Sequence, residues 1–193
     1  MSKALIKTIA TCLALSPLAA MAQDSADTTT PDAGDLSLGT TEPQVGDTYV
    51  AEVYTDWELR CVRTEDGNDP CQLYQLLIDS EGNAVAEFNI FALPEGGEAV
   101  AGATIITPLE TLLTAQLRLG VDAGQTKRYP YSFCTQIGCF ARLGFTAAEV
   151  EEFKRGVAAN VTIIAAGAPD QPVELAASLS GFTAGWNRIT GAE

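Results

Sequence analysis

Alternation of apolar and polar residues is the main pattern from residue 48 onward. Residues 57–62 and 116–122 alternate in this way, which is typical of a strand with one face in a core. Turn-forming residues recur roughly every 8–12 positions, the spacing typical of all-β domains. Similar patterns predict strands over 48–54, 71–78, 84–93, 99–107, 127–134, 139–143, 160–165, 173–179 and 181–189.

One segment carries the signals of a helix. Thr146 and Glu149 form a capping-box pattern, in which each side chain satisfies a free amide at the helix start. Val150 and Phe153 fall on one helical face, and Gly156 provides a stop signal. The predicted fold class is therefore all-β, an antiparallel β-sandwich or barrel-like domain with one short helix and two disulfides.

The N-terminal residues 1–22 have the three parts of a cleavable signal peptide. Lys3 and Lys7 precede an apolar run, and residues 20–22 read Ala-Met-Ala, a pattern recognised by signal peptidase. The run is about half the roughly 20 apolar residues that a spanning helix needs. No later stretch is long enough either, so the sequence predicts no membrane span.

Residues 23–47 are rich in Asp, Thr, Ser, Pro and Gly and predict a disordered linker. The folded domain is then expected over residues 48–193. The expected location is the periplasm, with the cell surface or release from the cell as alternatives.

Charge and composition narrow the function classes. The chain without residues 1–22 keeps nine of the 11 Lys and Arg residues and all 25 Asp and Glu residues, so its formal charge is −16. Such a surface repels nucleic acid, whose binding requires neutralisation of phosphates. The chain has no histidine, which excludes Ser-His-Asp catalysis and His-ligated zinc. No cofactor is expected.

Four cysteines remain after cleavage at residue 22: Cys61, Cys71, Cys134 and Cys139. An even number in an oxidising compartment indicates two disulfides, for which three connectivities exist. The turn formers at 65–70 and Gly138 favour the local pairs, 61 with 71 and 134 with 139. The C-x4-C spacing of the second pair differs from the redox C-x-x-C motif, so we interpret both pairs as structural.

Other candidate chemistry is weaker. Residues 65–69 could hold calcium, but they lack the full ligand loop, and a solvated acidic turn is the preferred interpretation. Paired carboxylates could serve a hydrolase, although no motif selects a pair among the 25 acidic residues. We therefore predict that the protein is not an enzyme.

A basic and aromatic segment is the best candidate for an interaction face. Trp57 and Trp186 are further candidates for an aromatic platform, but Trp57 lies on an alternating strand and is expected in the core. The predicted interaction face consists of Arg118, Lys127, Arg128, Tyr129, Tyr131 and Arg142.

Several landmarks occur in an order that matches a known family. They are Trp57…Cys61, Pro70-Cys71-Gln72, Pro108-Leu109…Leu112-Leu113, Val121-Asp122, Tyr129-Pro130-Tyr131…Cys134…Gly138-Cys139…Ala141 and Leu179-Ser180-Gly181-Phe182-Thr183. Together they resemble the invasion-associated locus B family of alphaproteobacteria over about residues 48–190. The family often has glycine where this chain has Glu110. The resemblance implies an exported protein, connects the family's founding label with invasion of host cells, and supplies no catalytic residues.

These observations predict a non-enzymatic periplasmic or cell-surface module that binds an unidentified protein or envelope component. The alternative is an envelope hydrolase that uses paired carboxylates. A deep pocket with two close acidic side chains would favour the hydrolase, whereas a filled sandwich with an exposed aromatic or basic patch would favour the binding module.

Overall fold

The computed structural model of the chain describes Gly39 and residues 41–192. The predicted signal peptide and most of the predicted linker lie outside these residues. Among the described residues, eleven strands form two antiparallel sheets, accompanied by two α-helices. The predicted all-β antiparallel class is confirmed: the fold is mostly β, with two antiparallel sheets.

The larger sheet has seven strands in the spatial order β1-β2-β3-β4-β5-β9-β8. Its strands are β1 (Thr48–Tyr54), β2 (Trp57–Val62), β3 (Cys71–Ile78), β4 (Ala84–Ala92), β5 (Ala101–Thr107), β8 (Tyr131–Thr135) and β9 (Gly138–Phe145). Consecutive strands pair as hairpins from β1 to β5, so most of this sheet is a meander.

The smaller sheet has four strands in the spatial order β11-β10-β6-β7. Its strands are β6 (Leu117–Val121), β7 (Lys127–Tyr129), β10 (Ala158–Ile164) and β11 (Pro172–Ser178). The chain thus passes from β5 to the smaller sheet and returns to the larger one through the β8–β9 hairpin.

The inward face of the larger sheet is set by the strand register. Leu59, Leu73, Ile90, Ala103 and Leu143 lie opposite one another across five neighbouring strands and are all buried. Because side chains alternate along a strand, the residues next to them in sequence point away from the core. This alternation gives the larger sheet a second, outward face.

The helices α1 (Ala147–Arg155) and α2 (Phe182–Thr190) contribute aromatic rings to the core. Phe153 of α1 and Phe182 of α2 pack with Trp57 and Phe88 of the larger sheet, with neighbouring ring centroids 5.4 to 6.2 Å apart. The predicted capping box is confirmed at α1, where Thr146 and Glu149 bond reciprocally.

The prediction of a closing strand over residues 181–189 is wrong, because this segment forms α2. Gly181 is the N-cap of the helix, with φ of 87°, and this backbone conformation ends the preceding extended segment. Phe182, Gly185 and Trp186 then form a buried helical face. The sequence predicted one helix, whereas the described chain has two.

The two local disulfides are confirmed. Cys61 bonds to Cys71 and Cys134 to Cys139, and the members of each pair lie directly opposite each other in the strand register. Their Cα atoms are 4.1 and 4.0 Å apart. Each bond closes one hairpin, at the start of β3 and at the tip of β8–β9.

The end of the predicted linker contacts the domain. Arg63 accepts a backbone hydrogen bond from Gly46 and donates one to Asp47, each at 2.9 Å. The boundary at residue 48 stays a prediction. None of the helices in the described residues is long and apolar enough to cross a membrane.

Candidate functional site

The six residues of the predicted interaction face fall on different parts of the sandwich. Arg118 and Arg128 lie directly opposite each other on β6 and β7, and they point away from the core because Leu117 and Leu119 are buried. Arg142 lies on β9 of the larger sheet, opposite Thr104. The structure therefore does not bring Arg142 together with the other two arginines.

The remaining three predicted residues are engaged within the domain. Lys127 donates to Glu149 at 2.7 Å, and this hydrogen bond raises the pKa of the lysine. Tyr129 and Tyr131 are half-buried, and burial raises the pKa of both phenols. Because they are half-buried, the two tyrosines offer little exposed ring surface for an aromatic platform. Trp57 and Trp186 are both buried in the core.

The outward side of the larger sheet, here called the outer face, carries an unusual row of side chains. In register across five strands it consists of Leu76, Glu87, Ile106, Phe140 and Phe133. We call this set the Leu76–Phe133 row. Four of its five members are apolar, although the solvent side of an antiparallel sheet is usually polar.

Next to it on the outer face runs a more polar row: Tyr74, Asn89, Thr104 and Arg142. Tyr74 and Asn89 point outward, yet only 7% and 8% of their surface is exposed. The Arg60 guanidinium lies 3.2 Å from the centroid of the Tyr74 ring, and Gln72 donates to Asn89 at 3.1 Å. These contacts hold the polar side chains in fixed positions.

Arg142 connects the two rows. Its guanidinium lies 5.6 Å from the centroid of the Phe133 ring, and Phe133 stacks on Phe140 at 4.7 Å. A cation over an aromatic face is attracted by the ring quadrupole, with about 0.5–1 kcal/mol at exposed sites. The outer face therefore presents an arginine against two stacked rings, a combination that is common in binding surfaces.

Two depressions lie at opposite ends of the outer face. One, of about 310 Å³, is lined by Arg60, Gln72 and Phe91 among others. The second, of about 320 Å³, includes Leu76 and Ile137 in its lining. Ile137 is 75% exposed at the tip of the hairpin that the second disulfide closes. Both depressions are open clefts formed by side chains.

The outer face was missed by sequence reasoning. Residues 73–78 read Leu-Tyr-Gln-Leu-Leu-Ile, a run that predicts a strand and does not show which side is covered. The available signal was that the outward positions Tyr74 and Leu76 are as apolar as the inward ones. If the solvent side of this strand were polar, apolar and polar residues would alternate more strictly along it.

The acidic turn at residues 65–69 has a structural role. Asp69 accepts hydrogen bonds from Tyr49 at 2.6 Å, Arg63 at 2.7 Å and the Thr64 amide at 2.7 Å. Its side chain is 7% exposed, whereas residues 65–68 of the turn are exposed. The hydrogen bond from Tyr49 is the largest influence that lowers the pKa of this carboxyl group.

Metal and acid–base chemistry find little support in the described part of the chain. No group of three or more His, Cys, Asp or Glu residues there is arranged to hold a metal ion. A general-acid carboxyl group needs a raised pKa. Hydrogen bonds lower the pKa at five exposed or loop carboxyl groups: Glu52, Asp66, Asp69, Asp79 and Glu151.

Glu149 is a partly buried carboxyl group whose pKa is also lowered. Burial by itself would raise the pKa, but hydrogen bonds from Lys127 and Thr146 leave it lowered. Its contacts belong to the α1 cap and to the salt bridge with β7. This carboxylate therefore serves the fold at that position.

The described chain is thus a two-sheet sandwich in which each of two disulfides closes a hairpin. The profile of the family described as "Invasion associated locus B (IalB) protein" matches residues 57–190. The chain belongs to this family, in agreement with the resemblance seen in its sequence.

Particular relatives support the assignment. The chain is 31% identical over 147 residues to the Invasion protein B homolog of Brucella abortus (strain 2308), covering 75% of this chain and 81% of the relative. The same figures hold for the homolog of Brucella abortus biovar 1 (strain 9-941). The crystal structure of invasion associated protein b from Bartonella henselae superposes with a TM-score of 0.58 at 22% identity, covering 72% of this chain and 94% of that one. This last similarity supports the fold.

Proposed function

We propose that this protein is an exported, non-enzymatic binding module that holds another protein of the cell envelope or of a host surface on its outer face. The observation that carries the proposal is the Leu76–Phe133 row on the open side of a sheet. Ile106, Phe140 and Phe133 are adjacent apolar side chains in this row, and Leu76 lies on the other side of Glu87. Contiguous apolar surface on a folded protein commonly marks an interaction site. Leu76 and Phe133 are 46% and 44% exposed.

The polar groups beside this row favour a specific protein partner. Arginine and aromatic residues are enriched in protein interfaces and dominate their binding energy. On the outer face, Arg142 lies against Phe133 and Arg60 lies against Tyr74. Since these side chains are already fixed by stacking, binding would cost little side-chain entropy.

Export is supported by the two disulfides and by the predicted signal peptide. Disulfides persist in oxidising compartments such as the bacterial periplasm and the cell surface. The absence of an enzymatic role is supported by the printed names of the relatives, which are invasion proteins. The family name connects this class with invasion, and the outer face is the surface that we propose for that role.

The proposal is tested by photocrosslinking in the native bacterium. A photoreactive phenylalanine analogue replaces Leu76 or Phe133 on the outer face. As the matched control, the same analogue replaces Ala176, an exposed residue on the outward side of β11. We expect both outer-face positions to capture the same protein and position 176 to capture none of it. Equal capture at position 176, or no shared product at 76 and 133, would contradict the proposal.

A binding measurement with the purified captured protein completes the test. The double variant Leu76→Ser, Phe133→Ser removes two exposed apolar side chains, and anchors of this kind contribute about 2 kcal/mol or more to binding. We expect the affinity to fall at least about 30-fold, with the thermal unfolding midpoint close to wild type. Ala176→Ser should bind as the wild type does.

A further inference from the structure

The outward side of the smaller sheet contains two like charges in direct opposition. Arg118 on β6 pairs in register with Arg128 on β7, and like charges directly across a strand pair are destabilising. We call these two residues the arginine pair. The arrangement stands out because acidic residues outnumber basic ones in the chain by 25 to 11.

The other basic residues of the described chain mostly have acidic partners. Five of them form a salt bridge: Arg60, Arg63, Lys127, Lys154 and Arg188. Among the described residues, neither member of the arginine pair has a carboxylate oxygen within 4.0 Å. Within residues 41–192, the arginine pair therefore has no salt-bridge partner.

The Nε atom of Arg118 is shielded from solvent and has no hydrogen-bond acceptor within the described part of the chain. A donor that has lost water and gained no acceptor is costly. Glu174 on β11 is an acidic residue on the same outward side, and it accepts a hydrogen bond from Thr162 at 3.2 Å. Because Thr162 lies opposite both Arg118 and Glu174, it stands between the two charges.

We propose that the arginine pair binds a phosphate group. Two residues directly opposite in an antiparallel pair have Cβ atoms about 4.5–5.5 Å apart, so both guanidinium groups can reach one small anion. One guanidinium fork already satisfies the two oxygens of a carboxylate. Two forks match a phosphate monoester, which offers three oxygens and a charge of about −1.5 to −2.

The negative charge of the whole protein does not prevent this binding. At physiological ionic strength, charges separated by more than about 8 Å are largely screened. The groups that contact the anion directly therefore determine whether it binds. The site lies on the smaller sheet, so it is independent of the proposed function of the outer face. The phosphate can come from a soluble molecule or from a lipid headgroup, and the chemistry of recognition is the same.

The first test is thermal unfolding of the full chain in inorganic phosphate against chloride at matched ionic strength. A ligand that binds the folded state raises the unfolding midpoint. We expect phosphate to raise the midpoint of the wild type in a saturable manner. Arg118→Gln and Arg128→Gln should each weaken apparent phosphate binding at least tenfold. Arg155→Gln, which removes an exposed arginine on α1, should bind as the wild type does.

The second arm uses phosphatidylcholine vesicles with and without phosphatidic acid. Co-sedimentation that requires phosphatidic acid and is lost in Arg128→Gln assigns the site to a lipid headgroup. Binding of inorganic phosphate without vesicle binding assigns it to a soluble phosphate. An equal phosphate response in wild type and both pair variants, or no response in the wild type, would overturn the proposal. Arg128 is exposed, so its variant remains informative if Arg118→Gln fails to fold.

Discussion

Replacing Gly181 with alanine should destabilise the domain more than replacing any glycine in open space. Gly181 begins α2 with φ of 87°, and an added Cβ would lie 1.9 Å from the carbonyl oxygen of Tyr54. A left-handed conformation costs an alanine about 1–2 kcal/mol. Overpacking against backbone adds about 1–3 kcal/mol. The expected loss in the free energy of unfolding is therefore about 2–5 kcal/mol.

Two matched variants separate these contributions. Gly191 has φ of 67° with nothing within 4 Å of an added Cβ, so Gly191→Ala should lose about 1–2 kcal/mol. Gly167 has open space and no left-handed φ, so Gly167→Ala should be neutral or stabilising by about 0.4–1 kcal/mol.

The assay is urea unfolding of the three variants, with a supporting thermal melt. For a domain of this size, 1 kcal/mol corresponds to roughly 2–4 °C in Tm, so Gly181→Ala should melt roughly 4–20 °C below wild type. If Gly181→Ala lost no more stability than Gly191→Ala, the close approach of α2 to the end of β1 would be refuted.

Three further predictions concern the elements that close and cap the domain. Replacing Cys134 and Cys139 with serine opens a loop with a sequence separation of 5. It should cost about 2 kcal/mol of unfolding free energy in urea, and no loss would refute a structural role. Thr146→Ala removes the α1 cap and should lower the free energy of unfolding by about 1 kcal/mol in the same assay. Thr146→Ser should retain most of the stabilisation by the cap. The pKa of Asp69 is lowered in the folded protein. The ionised carboxyl group therefore stabilises the fold at pH values above the ordinary Asp pKa, and this stabilisation is lost as the pH falls through the lowered pKa of the folded state. Between about pH 5 and pH 2, Asp69→Asn should therefore lose less stability than wild type, and an equal slope would contradict this.

Local chemistry made several elements predictable from sequence. Alternation placed β2 and β6, because each has one face in the core. The capping box placed α1. Turn formers between residues 65 and 70 indicated the hairpin that the first disulfide closes. For the capping box and the first disulfide, the signal and the contact that it predicts lie within 10 residues of each other.

The second helix depends on contacts distant in sequence. Residues 182–190 contain no acidic residue in the first turn, and the N-cap is glycine without a side-chain bond. Intrinsic propensity is a weak guide in such a segment. Packing decides instead, since an added Cβ on Gly185 would meet the Leu73 side chain at 2.6 Å. That contact with β3 could not be read from the local sequence.

The residues of the predicted interaction face do not lie on one surface, for a similar reason. Lys127 and Arg128 are adjacent in sequence, but successive side chains on a strand point to opposite sides. Lys127 therefore reaches Glu149, while Arg128 lies opposite Arg118. Arg142 lies on β9, after the chain has returned to the larger sheet. Only the topology of the two sheets determines which of these charges share a face.

The central claim, that the outer face holds a protein partner, is tested most directly by methyl NMR. The protein captured at position 76 is titrated into methyl-labelled chain. We expect the signals of Leu76, Ile106 and Ile137 to shift or broaden, while Val157, 77% exposed beyond α1, keeps its position. Shifts at Val157 with unchanged signals on the outer face would contradict the account.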